Sequence, residues 1–159
     1  MRIRSVPGGY GDHVEDTDRR ILALLAADGR MSFTDLGRAT GLSTSAVHQR
    51  VKRLEKRGLI KGYGATVDHD QMGLPLTAFV SITPIDPAEP DDYPARLAPV
   101  TEIESCWSVA GDESYILKVR VPTPSALEDL LARIRSAANV STRTTIVLST
   151  PFESRPVTG

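Results

Sequence analysis

Apolar residues in the first third of the chain recur at helical spacing. Ile21, Leu22, Leu24 and Leu25 predict a helix from about Asp16 to Asp28, with Gly29 just past its end. Ser32 stands as an N-cap before a second helix carrying Phe33 and Leu36. Ser43 stands likewise before a third, whose Val47, Val51 and Leu54 share one face. Gly41 supplies the tight turn between them, and Gly58 closes the third helix. Three such faces turned together close a small core. Leu59–Val67 then reads as an extended connector and Asp68–Gly73 as a turn.

Beyond this point the period changes to two. Leu76–Thr83 alternates as a strand that ends at Pro84. Asp91 and Asp92 are placed to cap a short helix with Tyr93, Leu97 and Val100. Ile103–Val109 reads as a second strand with Ile103, Ser105, Trp107 and Val109 on one face. Gly111-Asp112-Glu113 forms a hairpin turn into a third strand marked by Tyr115, Leu117, Val119 and Val121. Thr123 and Pro124 open a helix whose Leu127, Leu130, Leu131, Ile134 and Ala138 face one way, and Thr142–Ser149 is the fourth strand. The order β-α-β-β-α-β predicts a ferredoxin-like antiparallel sheet with both helices on one face. Its other face, carrying Ala78, Val80 and Ile82 or their alternates, is left open, and an apolar open face favours a second subunit.

The expected division is a flexible tail over 1–14, a helical domain over 15–64, a linker over 65–75, the sheet domain over 76–150 and a tail over 151–159. The fold class is thus α+β, an N-terminal helix-turn-helix (winged-helix-like) domain followed by a ferredoxin-like one. Charge follows that division. The whole chain carries a net −1, yet residues 1–64 sum to +5 and residues 65–159 to −6. Such segregation points to one half meeting a polyanion while the other does something else. Cys106 is the single cysteine, which excludes an intrachain disulfide and fits a reducing compartment. The basic N-terminus is followed by no apolar run, and no stretch reaches membrane-spanning length, so a cytoplasmic protein without a membrane partner is expected.

The third helix carries the chemistry. Opposite its apolar face stand Ser45, Gln49, Lys52 and Lys56, flanked by His48 and Arg53, with Ser43 and Thr44 at the helix start. Lysine and arginine neutralise phosphates, and serine, glutamine and histidine can bond base edges in the major groove of double-stranded DNA. The competing explanation is an ordinary solvated face. A short glycine-containing turn and the charge segregation favour DNA. Arg50 and Arg57, at the edge, suit either phosphate or an intrachain carboxylate. His13 lies in a tail and His69 in a turn, Cys106 has no histidine near it in sequence, and Trp107 suits a sheet core or interface, so no metal or cofactor is expected.

With both halves placed, the chain resembles the Lrp/AsnC (feast/famine) family of bacterial and archaeal transcription regulators. The stretches that carry the resemblance are DTDRRILALLAADGR, LGRATGLSTSAVHQRVKRLEKRGLIKGYGATVD, VAGDESYILKVRV and TRTTIVLST. It implies a DNA-binding first half and a second half that senses a free amino acid between subunits, in dimers that assemble into tetramers or octamers. The hairpin departs from the family pattern of Gly, two variable residues, then Asp-Tyr, because Ser114 holds the acidic position and the acids stand at Asp112 and Glu113. Backbone donors near Gly111 would take an effector carboxylate, and Asp112, Glu113 or Ser114 its ammonium. Thr142 and Thr144 from a neighbouring chain would add hydroxyls. Two other functions remain in view. One is an architectural DNA-compacting protein without a ligand. The other is an enzyme like the tetrapyrrole decarboxylases of similar fold, which the absence of any nucleophile–base spacing opposes.

Overall fold

Ser32 and Ser43 begin helices in the expected way. In the computed structural model, which describes residues 14–156, each sits in extended backbone and its hydroxyl accepts an N–H three residues on, from Asp35 and from Ala46. They introduce α2 (Phe33–Thr40) and α3 (Thr44–Lys56), preceded by α1 (Asp16–Ala27). Gly41 ends α2 with φ 73°, and Gly58, also at φ 73°, follows α3, so both lie in the left-handed region that favours glycine. Ile21, Leu36, Val47, Val51 and Leu54 form the core, with Leu22, Leu24, Leu25, Met31, Leu42 and Ile60 packed against it. Burial of each large member contributes about 1.5–3 kcal/mol.

Three details of this unit differ from expectation. Gly29 does not adopt a positive φ, because Asp28 terminates α1 by accepting the Arg30 N–H on its carboxylate. Phe33 is not core: its ring stays 37% exposed and meets the His48 ring edge-on, with centroids 5.0 Å apart. No strand follows α3 among the described residues of this unit, so the wing position is an extended connector.

The second unit contains β1 (Leu76–Pro84), α4 (Tyr93–Leu97), β2 (Ile103–Ser108), β3 (Tyr115–Val121), α5 (Pro124–Ala138) and β4 (Val140–Ile146). The sheet order is β2-β3-β1-β4 with every pair antiparallel, the ferredoxin-like arrangement. Thr123 caps α5 as predicted, and Asn139 in the left-handed region turns the chain directly into β4. The fourth strand therefore begins at Val140 rather than Thr142 and ends at Ile146, leaving Leu148 exposed.

Ala78, Val80 and Ile82 face the helices, packed with Leu117, Leu127, Leu130 and Ile134. The open face instead carries their alternates Thr77, Phe79, Ser81 and Thr83. A register shift between Ile103 and Ser105 corrects the expected face of β2. Ile103 pairs with Val119, whereas Ser105 and Trp107 pair with Lys118 and Ile116 on the opposite side. Nor do the aspartates cap α4 through their side chains. Asp92 occupies the cap position but its carboxylate pairs with Arg96 at 2.7 Å, and Asp91 accepts the Tyr115 hydroxyl at 2.8 Å.

The expected N-terminal tail lies outside the described residues but for Val14. Described residues up to Ala65, together with 152–156, form one unit, and Thr66–Pro151 the other. All of the expected linker but Ala65 thus groups with the sheet, and the segment after Pro151 groups with the helices.

Candidate DNA-binding face and effector cleft

With its apolar stripe on the core, α3 presents three other faces, and each has a distinct job. Ser45, Gln49, Lys52 and Lys56 are exposed opposite the core, as is Thr44 at the helix start. One flank meets α2 through the His48–Phe33 ring contact. The other flank meets α1 through charge. Arg50 Nη1 donates to Glu15 Oε2 and Asp18 Oδ1, both at 2.8 Å, and Arg53 Nη2 donates to Asp18 Oδ2 at 3.0 Å.

Asp18 is only 1% exposed, a carboxylate that the apolar pattern of α1 did not reveal. Burial pushes its pKa up, but the hydrogen bonds and charges of Arg50 and Arg53 outweigh that and hold it below the usual carboxylate range. Arg50, left open between phosphate and carboxylate by the sequence, is thus committed to carboxylates. Arg53, expected on the DNA face, turns at least one edge of its guanidinium toward α1. The Ser43 hydroxyl is occupied at the cap, with Ser45 Oγ 3.3 Å away. Glu55, the acid of α3, accepts a hydrogen bond from the Tyr63 hydroxyl at 2.9 Å.

Close packing where α2 turns toward α3 depends on Gly37. A Cβ there would stand 2.6 Å from the Leu42 carbonyl oxygen, inside any real contact distance, and the same turn is closed by Leu42 N–H donating to the Gly37 carbonyl at 3.0 Å.

In the sheet unit the loop between β2 and β3 borders an open cleft of 530 Å³, within the range of small-ligand sites. Gly111, Glu113 and Ser114, three of the residues expected at an effector site, line it together with Glu89, which the sequence reading did not name, and Asp91 and Tyr93, which it had assigned only to the short helix. Those acids are already engaged. Glu89 is held below its ordinary pKa by Arg96 and Asn139, and its Arg96 bond is 3.0 Å long. The hydrogen bond to Asp91 in turn pushes the Tyr115 phenol up.

Asp112 lies outside this cleft and borders a smaller hollow of 210 Å³ with Glu113, Thr142 and Arg143. There Glu113, its side chain 18% exposed, pairs with Arg143. Thr142 and Thr144 stand across from Ile82 and Val80, on the helix-covered side of the sheet. The Thr142 hydroxyl accepts from Arg135 of α5 at 3.1 Å. Within one chain neither threonine lines the cleft beside Gly111, where the expectation placed them from a neighbouring chain.

Comparison with known proteins decides the family. An AsnC-type helix-turn-helix domain matches residues 15–55 and an Lrp/AsnC ligand binding domain matches residues 77–157. The chain belongs to the Lrp/AsnC family. Among relatives of this Lrp/AsnC protein, the HTH-type transcriptional regulator LrpA of Mycobacterium tuberculosis is 54% identical over 142 residues, spanning 89% of this chain and 95% of that one. The leucine-responsive regulatory protein of Salmonella typhimurium is 37% identical over 143 residues, 87% of each chain. A feast or famine regulatory protein from M. tuberculosis, solved in complex with L-methionine, superposes with a TM-score of 0.90 at 52% identity, covering 92% of this chain and all of that one. These matches describe DNA-binding regulators rather than enzymes. Among the described residues no helix is long and apolar enough to cross a membrane.

Proposed function

We propose that this Lrp/AsnC protein regulates transcription in response to a free amino acid, within amino-acid metabolism or a nutrient response. In this reading α3 lies in the major groove of double-stranded DNA, with Thr44, Ser45 and Gln49 toward base edges and Lys52 and Lys56 on phosphates. The observation that carries it is the exposed cationic face left between two anchored flanks. Gly111, Glu113 and Ser114 form the chain's own contribution to the effector site, and Asp112 adds charge beside it. The L-methionine complex of a relative supports an amino acid as the ligand class.

A homodimer, assembling further into tetramers or octamers in the cytoplasm, would bring the remaining contacts to that site. Phe79, Ile116 and Trp107 on the uncovered sheet face support association, with Phe79 37% and Trp107 46% exposed in the isolated chain. The test is a thermal-shift screen of the twenty amino acids on a protein bound to a duplex selected from a random pool. An effector at about 100 times its Kd stabilises by about 2.7 kcal/mol. Selection of no duplex, or a melting curve indifferent to every amino acid, contradicts the respective half of the proposal.

A further inference from the structure

The flanks of α3 differ in chemistry, and the α1 side is the unusual one. At about 100° per residue, Arg50 and Arg53 fall between the apolar stripe and the exposed Gln49–Lys52–Lys56 face. An arginine in such a position can swing outward to phosphate or inward to a carboxylate. Here a single aspartate, buried at 1% exposure, takes both guanidinium groups, one on each oxygen, at 2.8 and 3.0 Å. Glu15 holds Arg50 as well, from the start of the same helix. A bridge from one carboxylate to two residues almost one helical turn apart resists rotation of α3 about its own axis, which a single ion pair does not. Arginine is suited to this because its planar fork fixes direction as well as charge.

We infer that Asp18 is a positioning residue for DNA recognition: it sets the rotation of α3 and withholds the Arg50 and Arg53 cations from the phosphate backbone. The inference rests on the reading of α3 as the DNA-facing helix. It divides the basic residues of α3 into two classes. Lys52 and Lys56 act on DNA directly. Arg50 and Arg53 act through Asp18, and a rotation of α3 by even a fraction of the interval between residues would carry Gln49 away from the base edge it meets. Withholding two cations also limits the sequence-independent affinity that every duplex would share, and so favours discrimination between sequences.

The test measures affinity against salt concentration for the full chain, on a duplex selected from a random pool by the unaltered protein and on an unrelated duplex of equal length. Each phosphate neutralised contributes about 0.9 to the slope of log affinity against log salt. Lys52→Ala is expected to lower that slope by about one. Arg53→Gln is expected to weaken the selected duplex roughly five- to tenfold at an unchanged slope. Asp18→Asn, which keeps the shape and removes the charge, is expected to steepen the slope by about one to two as the guanidinium groups reach phosphate. The preference of Asp18→Asn for the selected duplex should also fall about tenfold. An Arg53→Gln slope reduced as in Lys52→Ala overturns the inference, as does an Asp18→Asn protein weakened equally on both duplexes at an unchanged slope. Should Asp18→Asn not fold, Arg53→Gln decides. An unchanged slope in Lys52→Ala overturns the DNA-facing reading itself, and the inference with it, a result distinct from either of the others.

Discussion

Gln49 and Lys52 stand three residues apart on the same exposed face, yet their chemistry assigns them different tasks. An amide can bond a base edge with direction, whereas an ammonium answers to charge. Gln49→Ala should therefore reduce affinity for a selected duplex by about 1–3 kcal/mol and leave an unrelated duplex nearly unaffected, measured by fluorescence anisotropy. Equal losses on both would assign Gln49 a role other than base reading. Asp18 invites a different measurement. Its folded pKa is depressed, so the stability it confers is present above the unfolded value near 3.9 and is lost as pH falls through the lower folded value. Unfolding of the helical unit, followed by circular dichroism between about pH 5 and 2, should show this acid-sensitive component in the unaltered protein and lack it in Asp18→Asn. At neutral pH, Asp18→Ala should cost about 1.5–3 kcal/mol, because the charge-assisted hydrogen bonds of two part-exposed arginines are lost.

At the scale of elements, the turn between α2 and α3 rests on two glycines with unlike duties. Gly41 has room for a side chain but a φ of 73°, while Gly37 would drive a Cβ into the Leu42 carbonyl. Gly41→Ala should cost about 1–2 kcal/mol of backbone strain and preserve DNA binding. Gly37→Ala should displace α3 and abolish specific binding, even where circular dichroism still records helix. Retained specific binding by Gly37→Ala would show that the turn can yield.

Local signals in the sequence foretold Gly41, because a turn glycine between two capped helices leaves a local signature, but Gly37 answers to a neighbour that only the folded turn supplies. The same distinction runs through both units. Element order, the serine and threonine caps and the alternation of β3 are local and were legible. The bulge between Ile103 and Ser105 was not, and it sent Trp107 to the opposite face from Ile103. Asp18 looked like one more polar residue of α1, since its arginine partners lie 32 and 35 positions away. Of the residues lining the cleft, the hairpin was legible from Gly111, whereas Glu89 and Asp91 reach it only through the packing of the loop ahead of α4.

In the molecule as a whole, two chemistries are carried by separate units: a cationic helix face suited to DNA and a cleft sized for a small ligand. Gly111 offers a way to separate them. A Cβ at this position meets nothing closer than the Glu113 carboxylate at 3.7 Å, so a larger residue is compatible with the fold of the chain. Gly111→Trp should fill the cleft and remove the amino-acid-dependent thermal shift, while the protein still binds its selected duplex. A shift that survives would move the effector site elsewhere. The most direct test of the central claim is an anisotropy titration of the unaltered protein on its selected duplex, with and without each of the twenty amino acids. At least one is expected to change the Kd by about 5–150-fold, the range of a coupled effector. A duplex bound with the same Kd in the presence of all twenty would contradict it.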